Sequence, residues 1–150
     1  MIFNRTQNDV DTACTLRDTK VKTFATLTDS EKATLEKGFL TYTTLNRIEN
    51  KQVELKGLLN GIGYWGISIS NKTWQQGDIF DLSDFQRIID NENDLRNAFF
   101  VYSTTPQTPD IAFYFENINA LEKILYDLDV MINDVKSNYR ECGTFESGEQ

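Results

Sequence analysis

Apolar residues recur along this chain at alternating three- and four-residue steps, and the longest such run is Ile118, Leu121, Leu125, Leu128, Ile132, Val135 and Tyr139. Ile124 and Met131 widen the stripe, while Asn119, Glu122, Lys123, Asp127, Asp129, Asn133, Asp134 and Lys136 fill the positions between. This spacing predicts an amphipathic helix with one packing face along its whole length. At about 1.5 Å per residue it would run to roughly 35 Å. Such a helix is a seam for packing or assembly rather than a catalytic device.

Two further stripes share the pattern. Leu45, Ile48, Gln52, Leu55, Leu59 and Ile62 form one, and Phe85, Ile88, Glu92, Leu95, Phe99 and Tyr102 form the other. Each has a single polar member, Gln52 or Glu92. A polar residue on a seam can fix register. A straight helix also drifts against a seven-residue repeat, so both side chains are expected to reach solvent.

Local signals bound these elements. Thr6-Gln7-Asn8-Asp9 and Thr28-Asp29-Ser30-Glu31 read as capping boxes opening two short N-terminal helices, the second stopping at Gly38. Thr41 or Thr43 caps the first striped helix, and Asp81 or Ser83 begins the second. Between them, residues 61–80 form an irregular segment in which Ile67-Ser68-Ile69-Ser70 alternates as a short strand would. Pro106 and Pro109, the only prolines, force an extended crossover before the third striped helix. The expected fold is mainly α. It is a helical bundle of three long amphipathic helices plus short N-terminal helices, with a small irregular or β excursion at about 61–80. Residues 1–142 are expected to form one helical domain and 143–150 an acidic, flexible tail.

The chain has 150 residues, a formal charge of −8 and no histidine. Without histidine there is no Ser-His-Asp triad, Cys-His pair or histidine-ligated metal. With Cys14 and Cys142 as the only cysteines, no zinc set is expected, and free thiols are favoured over a disulfide joining the two. Neither cofactor nor metal is expected. The acidic balance argues against nucleic acid as a partner, and no apolar run is long enough for membrane insertion or a secretory leader.

Tyr64, Trp65 and Trp74 bracket a segment containing Gly61, Gly63 and Gly66. Together the rings could form a platform for a wall glycan, although filling the end of the helical core is the favoured reading. The glycines read as turn formers requiring positive φ, because the lysine and Ser/Thr of a phosphate loop are missing. Arg47, Glu49 and Arg87 read as ordinary surface residues.

Several strings in order are similar to a family of small structural proteins in tailed phages and prophages of Gram-positive bacteria. They begin with Arg5-Thr6, Asp9-Val10 and Thr44-Leu45-Asn46-Arg47-Ile48-Glu49, followed by Asn71-Lys72-Thr73-Trp74 and Asp84-Phe85-Gln86-Arg87-Ile88. Thr104-Thr105-Pro106 with Pro109, Leu121 to Asp129, and Cys142 to Glu149 complete the set. Relatives often carry a proline where this chain has Asp78-Ile79-Phe80-Asp81. The resemblance implies a tail or baseplate component, not an enzyme, assembled in the host cytoplasm with other tail or baseplate proteins as partners. Self-association into a homo-oligomer is expected on the same ground, with host wall glycan as an alternative partner. The resemblance brings no catalytic residues.

Overall fold

The structure is a computed structural model that describes residues 1–19 and 26–142, with side chains through 138. It is mainly helical, and no strand forms among the described residues. Among the described residues five helices follow in order: α1 (Gln7–Thr19), α2 (Asp29–Gly38), α3 (Tyr42–Gly61), α4 (Leu82–Ala98) and α5 (Phe115–Cys142). The tail at 143–150 lies outside the described residues.

The helix starts follow local chemistry. Thr6 and Asp9 exchange side chain-to-backbone bonds, with Thr6 N–H on Asp9 Oδ2 at 2.8 Å and Asp9 N–H on Thr6 Oγ1 at 3.3 Å. Thr28 and Glu31 form the same reciprocal box ahead of α2. Thr41 caps α3, and Asp81 caps α4 by accepting from the N–H groups of Ser83 and Asp84. The Ser83 hydroxyl, which also donates to Asp81 at 2.6 Å, does most to hold the Asp81 carboxyl below the usual carboxylate range, with the two N–H groups adding to it.

Helices α1 and α2 pair closely where Gly38 meets α1. A Cβ on Gly38 would lie 2.5 Å from the Asp9 carbonyl oxygen and closer still to Ala13 Cβ. Lys37 reaches Asp9 at 2.9 Å and closes the same contact.

The three long helices pack on one another, and their contacts advance in one direction along the chain. Glu49 and Gln52 of α3 meet Arg87 and Asn91 of α4 in that order, and Tyr64 beyond α3 meets Phe99 beyond α4. On α5, Arg47 pairs with Glu122 and Lys51 with Asp129. Parallel neighbours need connections that return the full length of a helix. Extended chain covers about 3.3 Å per residue against 1.5 Å in a helix, so a connection half as long as the helix suffices. The 62–81 and 99–114 segments do this, each running back along the helices it joins.

Both return segments are held by helix side chains rather than by a strand ladder. Ile67-Ser68-Ile69-Ser70 does not form the expected strand. Asn91 of α4 instead accepts from the Ser70 N–H at 3.0 Å and donates to its carbonyl at 2.7 Å. Asn46 of α3 does the same for Trp74, at 2.8 Å in both directions. Asn119 of α5 clasps Arg5 in the N-terminal segment, at 3.1 and 2.9 Å. Along 99–114, Arg96 donates to the Pro106 carbonyl, Thr105 donates to Asp127 at 2.8 Å, and Asn117 spans the Asp110 and Ala112 carbonyls. An extended backbone needs its polar groups satisfied, and these side chains do so at Arg5, Ser70, Trp74, Pro106, Asp110 and Ala112.

The structure departs from expectation at several positions. Gln52 and Glu92 do not reach solvent; both are fully buried. Glu49 is also fully buried and is not a surface residue, and Arg87 donates to it through both terminal nitrogens at 2.7 and 2.8 Å. Of the three glycines read as turn formers, Gly63 and Gly66 have φ of 95° and 90°, whereas Gly61 ends α3 without positive φ.

Candidate docking surface

The seam of α5 is occupied within the chain for most of its length. Ile118, Leu121, Leu125, Leu128 and Ile132 are buried in the common core with Leu45, Ile48, Leu55, Leu59, Phe85, Ile88 and Leu95. Val135, by contrast, is 36 % exposed and lies in a wholly exposed stretch of α5 that runs from Asn133 to Asn138. The side chain of Tyr139 lies outside the described residues, as does that of Cys142. Cys14 is free. A neighbour therefore cannot use Ile118, Leu121, Leu125, Leu128 or Ile132 without opening the core.

The aromatic trio does not share a face. Trp74 is 2 % exposed and lies near the start of α3, where its Nε1 donates to Glu49 Oε1 at 2.6 Å and its ring meets Phe80 edge-on. Tyr64 lies at the far end of α3, edge-on to Phe99. Trp65 beside it is 76 % exposed. Core filling thus describes Trp74 and half-buried Tyr64 but not Trp65.

Buried carboxylates hold the pieces together. Glu49 collects the Trp74 indole, the Lys72 N–H at 2.6 Å and Arg87. Glu122 collects the Ile2 N–H at 2.9 Å, Arg5 at 2.7 Å and Arg47 at 2.8 Å, while Arg47 also reaches Glu36 of α2 at 2.6 Å. Arg47 is therefore a bridge between α2, α3 and α5 rather than an ordinary surface residue. Glu92 is the exception: neither of its carboxylate oxygens has a hydrogen-bond partner. Burial pushes its carboxyl well above the usual carboxylate range, aided by the Glu122 charge and opposed by Gln52 and Arg96.

Large apolar side chains left in solvent concentrate where α4 and α5 begin. Ile79, Leu82, Ile111, Phe113 and Tyr114 are all exposed there, with Ile79 at 84 %. They surround a ring stack in which Phe80 meets Trp74, Phe85 and Phe113 at centroid distances of 5.3 to 5.9 Å. Exposed apolar groups gathered at one place mark a contact surface. Sequence reasoning missed this surface, because its residues sit in the two return segments and at a helix start, away from the stripes. The usable signal was the density of aromatic and aliphatic residues in 79–82 and 111–115.

Among the described residues no group of three or more Cys, Asp or Glu is placed to hold a metal ion. No described helix is long and apolar enough to cross a membrane. No family model, curated protein or solved structure matches the chain.

Proposed function

We propose that this protein is a structural component of a phage tail or phage-tail-like particle, near the baseplate or its fibres, and that it acts by docking. The observation that carries the docking part is the apolar surface of Ile79, Leu82, Ile111, Phe113 and Tyr114 on a chain whose α5 seam is already buried at Ile118, Leu121, Leu125, Leu128 and Ile132. The tail context rests on the resemblance of the ordered strings. In this reading α3, α4 and α5 form a three-helix bundle serving as a rigid post, and its apolar end seats on another tail or baseplate protein or on a second copy. The protein has no catalytic role in this reading and takes no cofactor, and it joins the particle in the host cytoplasm.

Cross-linking mass spectrometry on intact particles, with particle-free lysate as control, tests this reading. Cross-links from Lys72 or Lys123 to tail or baseplate proteins are expected. Absence of the protein from purified particles would remove the proposal. Glycan binding, the alternative, now depends on Trp65 alone of the two tryptophans. It requires a fluorescence change on adding wall polysaccharide that Trp65→Ala abolishes.

A further inference from the structure

We propose, resting on the docking role given to the apolar end around Ile79 and Leu82, that its occupant is a protein segment with an apolar stripe flanked by Lys or Arg, not a second copy of this chain. Two segments build this end. Phe80 meets Phe113 at 5.4 Å, which brings 78–82 beside 110–114. Asn117 folds the second segment onto the start of α5 through the Asp110 and Ala112 carbonyls, both at 3.0 Å. Exposed carboxylates lie among the exposed apolar side chains: Asp78 and Asp81 flank Ile79, Asp110 precedes Ile111, and Glu116 lies just past Tyr114.

None of these four carboxylates has an ion-pair partner among the described residues. The cations beside this end are committed elsewhere. Lys72, whose charge reaches Asp81, lies 3.7 Å from Asp84 and 3.8 Å above the Trp74 ring. Arg5, across a groove from Phe113 and Tyr114, is buried against Glu122 at 2.7 Å, and Lys37 pairs with Asp9 at 2.9 Å. The starts of α3, α4 and α5 add about half a positive charge each, roughly 1.5 in all, against four carboxylates. The end is therefore apolar at its centre and negative around it.

That sign selects the partner. A second copy docked by two-fold symmetry presents the same patch, so carboxylates would face carboxylates, and like charges across an interface are strongly disfavoured. Phosphates of nucleic acid or of anionic lipid are repelled in the same way. Lys and Arg reverse the sign, and their aliphatic stems add cover to the apolar side chains while the charged heads stay at the wet rim. A rim of this kind sets the partner and the salt dependence, while the apolar centre supplies the contact area.

Fluorescence anisotropy on the full chain measures this preference with two labelled amphipathic peptides of about 18 residues. Both carry the same Leu stripe, flanked by Lys in one and by Glu in the other. The Lys peptide is expected to bind at least about tenfold more tightly at about 0.1 M salt, and the gap to close at about 1 M, where charges are screened beyond about 3 Å. Asp78→Asn with Asp110→Asn should weaken the Lys peptide about fivefold, and the amide oxygen at 78 still serves the Gln75 N–H. Asp94→Asn with Asp134→Asn removes the same charge from exposed sites towards the far ends of α4 and α5, and should change binding less than about twofold. Ile79→Gln with Leu82→Gln leaves the charge unaltered and should abolish binding of both peptides with the melting curve intact. Equal affinity for the two peptides, no binding of the Lys peptide, or equal loss from the two neutralised pairs would overturn the proposal. Self-association seen by sedimentation equilibrium and disrupted by Ile79→Gln with Leu82→Gln assigns the end to a second copy, which also overturns it. A Lys preference without incorporation into particles removes the tail context alone, and incorporation without a Lys preference removes the basic partner alone.

Discussion

Glu49 and Glu92 are both wholly buried on facing helices, yet their environments are opposite. Glu49 accepts from an indole, a backbone N–H and a bidentate arginine, so its charge is compensated. Glu92 accepts from nothing, and burial raises its carboxyl well above the ordinary 4.5. A group whose folded pKa is raised contributes its full stability below the unfolded pKa and loses it as pH climbs towards the folded value. Glu92 is therefore harmless near pH 4 and increasingly costly towards neutrality. Glu92→Gln should match the parent near pH 4 and exceed its stability by about 1–3 kcal/mol at pH 7–8. Urea unfolding at several pH values measures that difference, and a pH-independent gap would contradict it. The two tryptophans give a matching contrast. Trp74→Phe leaves a Glu49 oxygen short of a donor and should cost about 1–3 kcal/mol, whereas Trp65→Ala should stay within about 0.5 kcal/mol. Parallel thermal melts of the two variants distinguish them.

Helix starts and apolar faces were legible in the sequence because each is written in residues close together. Thr28 with Glu31, Thr41, and Asp81 with Ser83 and Asp84 carry their caps locally. Most members of the three stripes likewise lie in the core, whereas Tyr102 and Val135 are exposed. The fate of Gln52 and Glu92 was not legible, because stripe drift considers only one helix against another. Gln52 is closed in by α4, its Nε2 donating to the Ile88 carbonyl and its Oε1 accepting from Asn91, while Glu49 is covered by Lys72 and Trp74 of the 62–81 segment. Asparagines mid-helix were the overlooked signal. Asparagine is a poor helix former, and Asn46, Asn91 and Asn119 each lie beside an apolar stripe and clasp one residue of extended backbone. The α1–α2 pair depends on a single small residue in a comparable way. Gly38→Ala forces a Cβ against Asp9 and Ala13, so overpacking of about 1–3 kcal/mol is expected. The loss should be confined to α1 and α2. Hydrogen exchange should show α1 amides losing protection while α3–α5 amides keep theirs. Equal loss in all five helices would mean that the pair is not a separately yielding unit.

For the molecule as a whole, the burial pattern separates what holds the fold from what remains for partners. The expected assembly seam ran from Ile118 to Tyr139, but its members Ile118, Leu121, Leu125, Leu128 and Ile132 are spent on the chain's own core, Val135 is exposed and the Tyr139 side chain lies outside the described residues. Association must then use what the core leaves outside, and the largest such group is the apolar end around Ile79 and Leu82. These two side chains face solvent at 84 % and 57 %, so polar replacements there remove no core contact of consequence. The double variant Ile79→Lys, Leu82→Gln should keep the parent's helical content and melt within about 1 kcal/mol of it. If this end is the docking surface, the same variant should fail to co-sediment with particles that incorporate the parent. A matched pair of changes at Trp65 and Phe100, exposed where α3 and α4 end, serves as the control, because it removes comparable apolar surface from the opposite end. Incorporation lost only at Ile79 and Leu82 assigns docking to the start of the long helices. Incorporation lost only at Trp65 and Phe100 reverses the polarity of the post, placing the partner where α5 runs on past Ile132 with Val135 exposed.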